Sequence, residues 1–215
     1  PDGKVSDVQR LQMVCQRGSN VAVCGIRGNF DDAQTEVKHV FADEGLRARL
    51  FDVGCVLSSA NSINVGRLVP QVTYYLDAYA QLARSGAIAV GDEIDFCVPT
   101  GNFGNILAGW FAKKMGLPVH TFICASNDNN ILTDFLRTGV YDRNRDFHKT
   151  ITPSMDILIS SNLERLLYHE TGGDVKLVQR YMQELNSTGK YKIDAPLKKR
   201  LDKIFYADYA RSEEH

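Results

Sequence analysis

Ile94-Asp95-Phe96-Cys97-Val98-Pro99-Thr100-Gly101-Asn102-Phe103-Gly104-Asn105-Ile106-Leu107-Ala108-Gly109 sets a short apolar run against a glycine turn and then an apolar helical stretch. The run Ile94 to Val98 reads as a buried strand, and Phe103 to Met115 reads as a helix closed by Gly116, with Pro118 as a stop. A second run, Val119 to Ala125, returns as a strand directly afterwards. Strand, helix and strand at this spacing form one parallel crossover unit.

Outward from this unit the same alternation continues. Val21 to Ile26 reads as a strand, and Asp31 to Ala42 as a helix with Ala33, Val37, Val40 and Phe41 on one face. Phe51 to Leu57 reads as a further short strand. A long helix follows, keeping period through Leu68, Val72, Tyr75, Leu76, Tyr79 and Leu82, with Pro70 implying a kink or a later start. Past residue 126 the periodicity fades, and Asn127, Asn129 and Asn130 read as polar punctuation. Helices resume near Leu163, at Asp174 to Leu185 and from Asp194, where the two aspartates suit N-caps and Pro196 a first turn. The expected fold is α/β, a three-layer arrangement of a mainly parallel sheet flanked by helices. Residues 1–150 form the expected α/β core and 151–215 a mostly helical covering segment.

Composition narrows the function classes. Hydrophobic residues make up 44% and charged residues 24%, and 25 basic against 26 acidic residues leave a net charge of −1. There is no basic excess to favour a nucleic acid or an acidic membrane, and no apolar run long enough for a span. Five cysteines without a Cys-x-x-Cys pair point to a reducing compartment, so the cytoplasm is expected. Cys24, Cys97 and Cys124 lie in apolar runs and read as small buried hydrophobes. The histidines are scattered without metal-ligand spacing, so no metal is expected.

Two loops echo one another. Gly28-Asn29-Phe30 and Gly101-Asn102-Phe103 each follow an expected strand and open a helix, whose free N–H groups and partial positive charge suit an anion. After the first come Asp31 and Asp32, which occupy that positive end themselves and would repel a phosphate. After the second come Gly104 and Asn105, with no acidic residue until Asp128, and Thr100 adds a hydroxyl just before the turn. The second loop is therefore an anion cradle in type, although a tight turn alone explains the glycines equally well. It is neither G-x-G-x-x-G nor a Walker sequence, so a dinucleotide or ATP is not indicated. Ser58-Ser59-Ala60-Asn61-Ser62-Ile63-Asn64 places five polar side chains in seven residues before the long helix. Capping by Ser62 or Asn64 is one reading; contact with an uncharged polar part of a ligand is the other.

Taken together, Ser59-Ala60-Asn61-Ser62-Ile63-Asn64 and Val98-Pro99-Thr100-Gly101-Asn102-Phe103-Gly104-Asn105 closely resemble the microbial threonine synthase family. Gly28 to Gln34, Met115 to Val119 and Pro153-Ser154-Met155-Asp156-Ile157 fit as well. The resemblance spans most of residues 1–165 and implies the fold type II architecture of pyridoxal-phosphate enzymes, similar to tryptophan synthase β. It implies conversion of O-phosphohomoserine and water into threonine and phosphate. Gly101, Asn102, Phe103, Gly104 and Asn105, with Thr100, would hold the phosphate of pyridoxal 5'-phosphate, and Ser59, Asn61, Ser62 and Asn64 would lie near the substrate. The family's Schiff-base lysine belongs to a Phe-Lys-Asp motif that these residues lack; Lys149, in Phe147-His148-Lys149-Thr150, is not it. The resemblance thus implies the central part of a longer enzyme, inactive by itself, monomeric or homodimeric as a whole. A threonine-synthase-like phospholyase acting on another amino-alcohol phosphate and a non-catalytic α/β binding module are the competing readings.

Overall fold

Three strands in the order β1 (Ile94–Pro99), β2 (Val119–Ser126), β5 (Phe205–Tyr209) run parallel and carry the architecture. Val98 faces Cys124 across β1 and β2, and Cys124 faces Ala207 across β2 and β5. The computed structural model describes residues 7–28, 30–60 and 64–209. The chain divides into two compact units, 1–59 and 60–215, and residue 150 falls inside the second.

The second unit opens with α4 (Val65–Arg84), capped by Asn64, whose side chain accepts from the Gly66 N–H at 2.9 Å. Pro70 sits inside this helix without ending it. Leu68, Val72, Tyr75 and Tyr79 supply the buried face, one turn apart, as 3.6 residues per turn requires. α5 (Gly104–Lys114) follows β1 and is buried nearly all round, through Ile106, Leu107, Ala108, Gly109, Trp110 and Ala112. Gly109 is where α4 and α5 come together over the sheet. A Cβ built on it would lie 2.6 Å from Tyr75 Cε1 and 2.7 Å from Phe122 Cε1. Tyr75 stands edge-on to Phe96 and Phe122, with ring centroids 4.9 and 6.0 Å away.

After β2 come α6 (Ile131–Thr138), which lies against β2 and β5, and β3 (Val140–Asp142), which pairs antiparallel with β4 (Lys190–Lys192). Between β3 and β4 run a 3-10 turn (Pro153–Met155), α7 (Leu163–Glu170) and α8 (Val175–Thr188). α9 (Ala195–Leu201) then leads into β5. Asp174 and Asp194 are N-caps, as their positions before apolar periodic runs imply; each accepts from the N–H three residues on. Stacked Tyr141, Tyr181 and Tyr191 form the core beside the small sheet.

The first unit holds α1 (Asp7–Val14), α2 (Phe30–Ala42) and α3 (Glu44–Asp52), with no strand among its described residues. Val21 to Ile26 and Phe51 to Leu57, expected as strands, are not. The first is irregular and mostly exposed, and the second begins as the end of α3. A strand is defined by a ladder partner, which local sequence cannot supply.

The cysteines also separate. Cys124 is fully buried, whereas Cys97 and Cys24 are exposed. Cys97 points to the opposite face of β1 from Phe96 and Val98, because successive residues alternate across a sheet.

Candidate active site

The second glycine loop joins β1 to α5 at the carboxyl ends of the parallel strands, where open α/β sheets place ligands. Thr100 closes the strand: its N–H donates to Ala125 O at 2.9 Å and its buried hydroxyl to Val98 O at 2.6 Å. Phe103 then turns left-handed (φ 61°), the one non-glycine residue at positive φ among those described. Such a conformation costs ~1–2 kcal/mol for a residue with a Cβ. Burial of the Phe103 ring beneath the loop, 5.6 Å from Phe205, offsets that cost.

The N–H groups of residues 101 to 106 have no acceptor among the described residues; the first amide of the turn to find one is Leu107, which donates to Phe103 O at 3.1 Å. The first turn of α5 contains no acidic residue, and its last turn carries Lys113 and Lys114. Consecutive free amides at a left-handed kink, backed by a helix start, are the kind of backbone arrangement that can take an anion. Tyr75 secures the rim. Its hydroxyl donates within reach of both Asn105 O, at 2.9 Å, and Asn105 Oδ1, at 2.8 Å. Burial pushes the Tyr75 hydroxyl well above its ordinary value, so it stays a donor.

The carbonyl side of the loop is equally well held. Ser160 Oγ donates to Gly101 O at 3.0 Å, while Asn162 donates to Asn102 O from its backbone N–H at 3.2 Å and from Nδ2 at 2.9 Å. The Gly101 Cα packs against the 3-10 turn so closely that a Cβ would lie 3.0 Å from Ser154 O and 3.1 Å from Met155 Cα. Two stretches singled out separately in the sequence, around Gly101 and Pro153 to Ile157, therefore meet.

Behind that turn lies a buried polar network. Asp156 Oδ1 accepts from Asn127 Nδ2 (2.8 Å), Asn129 Nδ2 (3.0 Å) and Thr150 Oγ1 (2.7 Å), and Oδ2 accepts from the Thr150 N–H (2.8 Å). This ties the irregular 148–156 segment to the end of β2. Ser160, Asn162, Asn127, Asn129 and Asp156 were not legible as site residues. The asparagines looked like loop punctuation, and only their burial distinguishes them from it.

Thr100 to Asn105 form one continuous turn from β1 into α5. Among the described residues the serine-rich segment forms no such unit. Asn64 is the helix cap, Ser59 belongs to the other compact unit, and Asn61 and Ser62 lie outside the described residues. At the first glycine triplet an acid stands close by: a Cβ on Gly28 would lie 2.7 Å from Asp32 Oδ2. Among the described residues no group of three or more His, Cys, Asp or Glu could hold a metal, and no helix is long and apolar enough to cross a membrane.

A threonine synthase from Brucella melitensis, solved with pyridoxal phosphate bound, superposes with a TM-score of 0.82 at 43% identity over 98% of this chain and 43% of its own. With its parallel strands flanked by helices, the chain has the fold of the fold type II class of pyridoxal-phosphate enzymes. No protein-family model matches the chain. Human threonine synthase-like 1 is 44% identical over 216 residues, covering all of this chain and 29% of the relative. Saccharomyces cerevisiae threonine synthase is 40% identical over 223 residues, covering all of this chain and 42% of the relative. Over its whole length the chain is similar to threonine synthases, and it spans less than half the length of these relatives.

Proposed function

We propose that this chain is the cofactor-phosphate-binding part of a pyridoxal-phosphate-dependent lyase that converts O-phosphohomoserine and water into threonine and phosphate. The observation that carries the reading is the run of free amides from 101 to 106, with no acid in the first turn of α5. A phosphate dianion is the ligand that this nest fits, so Gly101 to Asn105 hold the cofactor's phosphate, with Thr100 anchoring the strand end beneath them. When bound, pyridoxal phosphate supplies the electron sink for chemistry at the substrate's α-carbon.

The residues of this chain bind and orient. Phe103 seals the floor of the nest against water, and Tyr75 keeps Asn105 in place. Ser59, Asn61, Ser62 and Asn64 form the neutral polar segment next to the substrate, and residues 151–215 add a largely helical cover before returning to the sheet at β5. Within the 215 residues no Phe-Lys-Asp motif supplies a lysine for the cofactor's aldehyde. Taken by themselves, these residues bind the cofactor weakly and do not turn over substrate. The whole enzyme acts in a reducing, cytoplasmic setting, to which five unpaired cysteines point.

Asn105→Asp tests the nest. Aspartate keeps an oxygen for the Tyr75 hydroxyl and stabilises a helix start, yet sets a negative charge against the phosphate. Affinity of the full-length protein for pyridoxal phosphate falls about tenfold or more, while the melting temperature does not fall. Unchanged affinity refutes the assignment. A second reading has one specific support, the 44% identity to human threonine synthase-like 1: a phospholyase acting on a related amino-alcohol phosphate. Release of both threonine and phosphate from O-phosphohomoserine by the full-length protein favours the first reading; phosphate released only from another amino-alcohol phosphate favours the second.

A further inference from the structure

We infer that Ser160 and Asn162 are positioning residues that set the direction of the cradle's amides, an inference that rests on the phosphate-binding reading above. In a trans peptide the C=O of one residue and the N–H of the next point in opposite directions. Whatever holds the Gly101 carbonyl therefore aims the Asn102 N–H, and whatever holds the Asn102 carbonyl aims the Phe103 N–H. Ser160 Oγ holds the first at 3.0 Å, and Asn162 holds the second twice, from N at 3.2 Å and from Nδ2 at 2.9 Å. These two peptide planes flank the left-handed Phe103, the point at which the loop is under most backbone strain and most in need of an external constraint.

Both anchors are rigid. Ser160 and Asn162 are 7% and 1% exposed. The Ser160 N–H donates to the Tyr141 hydroxyl at 2.8 Å, and that hydroxyl donates to Leu158 O at 3.1 Å, so buried Tyr141, stacked on Tyr191, braces residues 158–160. Asn162 Oδ1 accepts from Arg165 Nη1 at 2.6 Å, which leaves Nδ2 facing the loop. Because the 160–162 wall takes up the carbonyls, the amides face the other way, toward a ligand. Three hydrogen bonds from outside the loop convert a flexible glycine turn into a preorganised anion site.

The test compares pyridoxal phosphate with pyridoxal, which lacks the phosphate, as ligands of the full-length protein. The wild type prefers pyridoxal phosphate. In Ser160→Ala and in Asn162→Ala this preference falls about tenfold while pyridoxal affinity is unchanged, and Ser160→Thr, which restores a hydroxyl, recovers it. An equal loss for both ligands shows a merely structural role and overturns the inference, as does an unaltered preference in both alanine variants. A wild type with no preference at all brings down the phosphate-cradle reading itself, and with it this inference.

Discussion

Gly109→Ala separates the helix's own preference from the packing around it. In an exposed helix interior this change stabilises by about 0.8–1 kcal/mol, because alanine is the better helix former. Here the added Cβ meets two aromatic rings, at 2.6 Å from Tyr75 Cε1 and 2.7 Å from Phe122 Cε1. Ordinary van der Waals contact begins near 3.4 Å, so the overlaps are 0.8 Å (3.4 − 2.6) and 0.7 Å (3.4 − 2.7). Neither ring has room to retreat: the two pack edge-on against one another, Tyr75 is also edge-on to Phe96, and Phe122 is stacked on Phe96 and tilted against Phe205. Overpacking of this kind costs ~1–3 kcal/mol, and two simultaneous ring clashes place it at the upper end. After the propensity gain a net loss of about 2 kcal/mol remains, a fall of roughly 4–8 °C in melting temperature for a chain of this size. The displaced Tyr75 ring also withdraws its hydroxyl from Asn105, so phosphate affinity drops alongside stability. Thermal unfolding followed by circular dichroism, with inorganic phosphate binding measured below the transition, reads both. A melting temperature that stays level or rises refutes the reasoning.

Two other perturbations probe different parts of the molecule. Asp156→Asn sets an amide N–H₂ among four donors and costs about 1.5–3 kcal/mol, loosening residues 148–156 first; urea unfolding and limited proteolysis check it, and cleavage confined to other segments counts against it. Cys124 is unreactive toward a thiol reagent in the native state at neutral pH, whereas exposed Cys97 is modified, since burial holds the Cys124 thiol up to about 12. A thiol pKa raised on folding stabilises the neutral form. Its contribution is complete below the ordinary value of 9.0 and fades as pH climbs from there toward 12, so stability declines through that window. Equal labelling of Cys97 and Cys124 contradicts this.

The elements that sequence alone determined are those whose burial pattern is local. β1, β2 and α5 announce themselves because a run of apolar residues between glycine and proline stops has one economical conformation, and Asp174 and Asp194 mark helix starts by side-chain chemistry that acts within three residues. The uncharged start of α5 was legible for the same reason, as was the contrast with the acidic start after Gly28. Other features depended on partners distant in the chain. β5 was hidden because Phe205 to Tyr209 becomes a strand only by pairing with β2, some eighty residues earlier, and Val21 to Ile26 fails to become one for want of such a neighbour. Cys97 and Cys124 look alike in sequence, and only the pleat and the position of α5 bury one and expose the other. The direction in which the cradle's amides point was decided last of all. It depends on Ser160 and Asn162, about sixty residues away, because a peptide plane is aimed by whatever grips its carbonyl, and that grip exists only once the chain has folded.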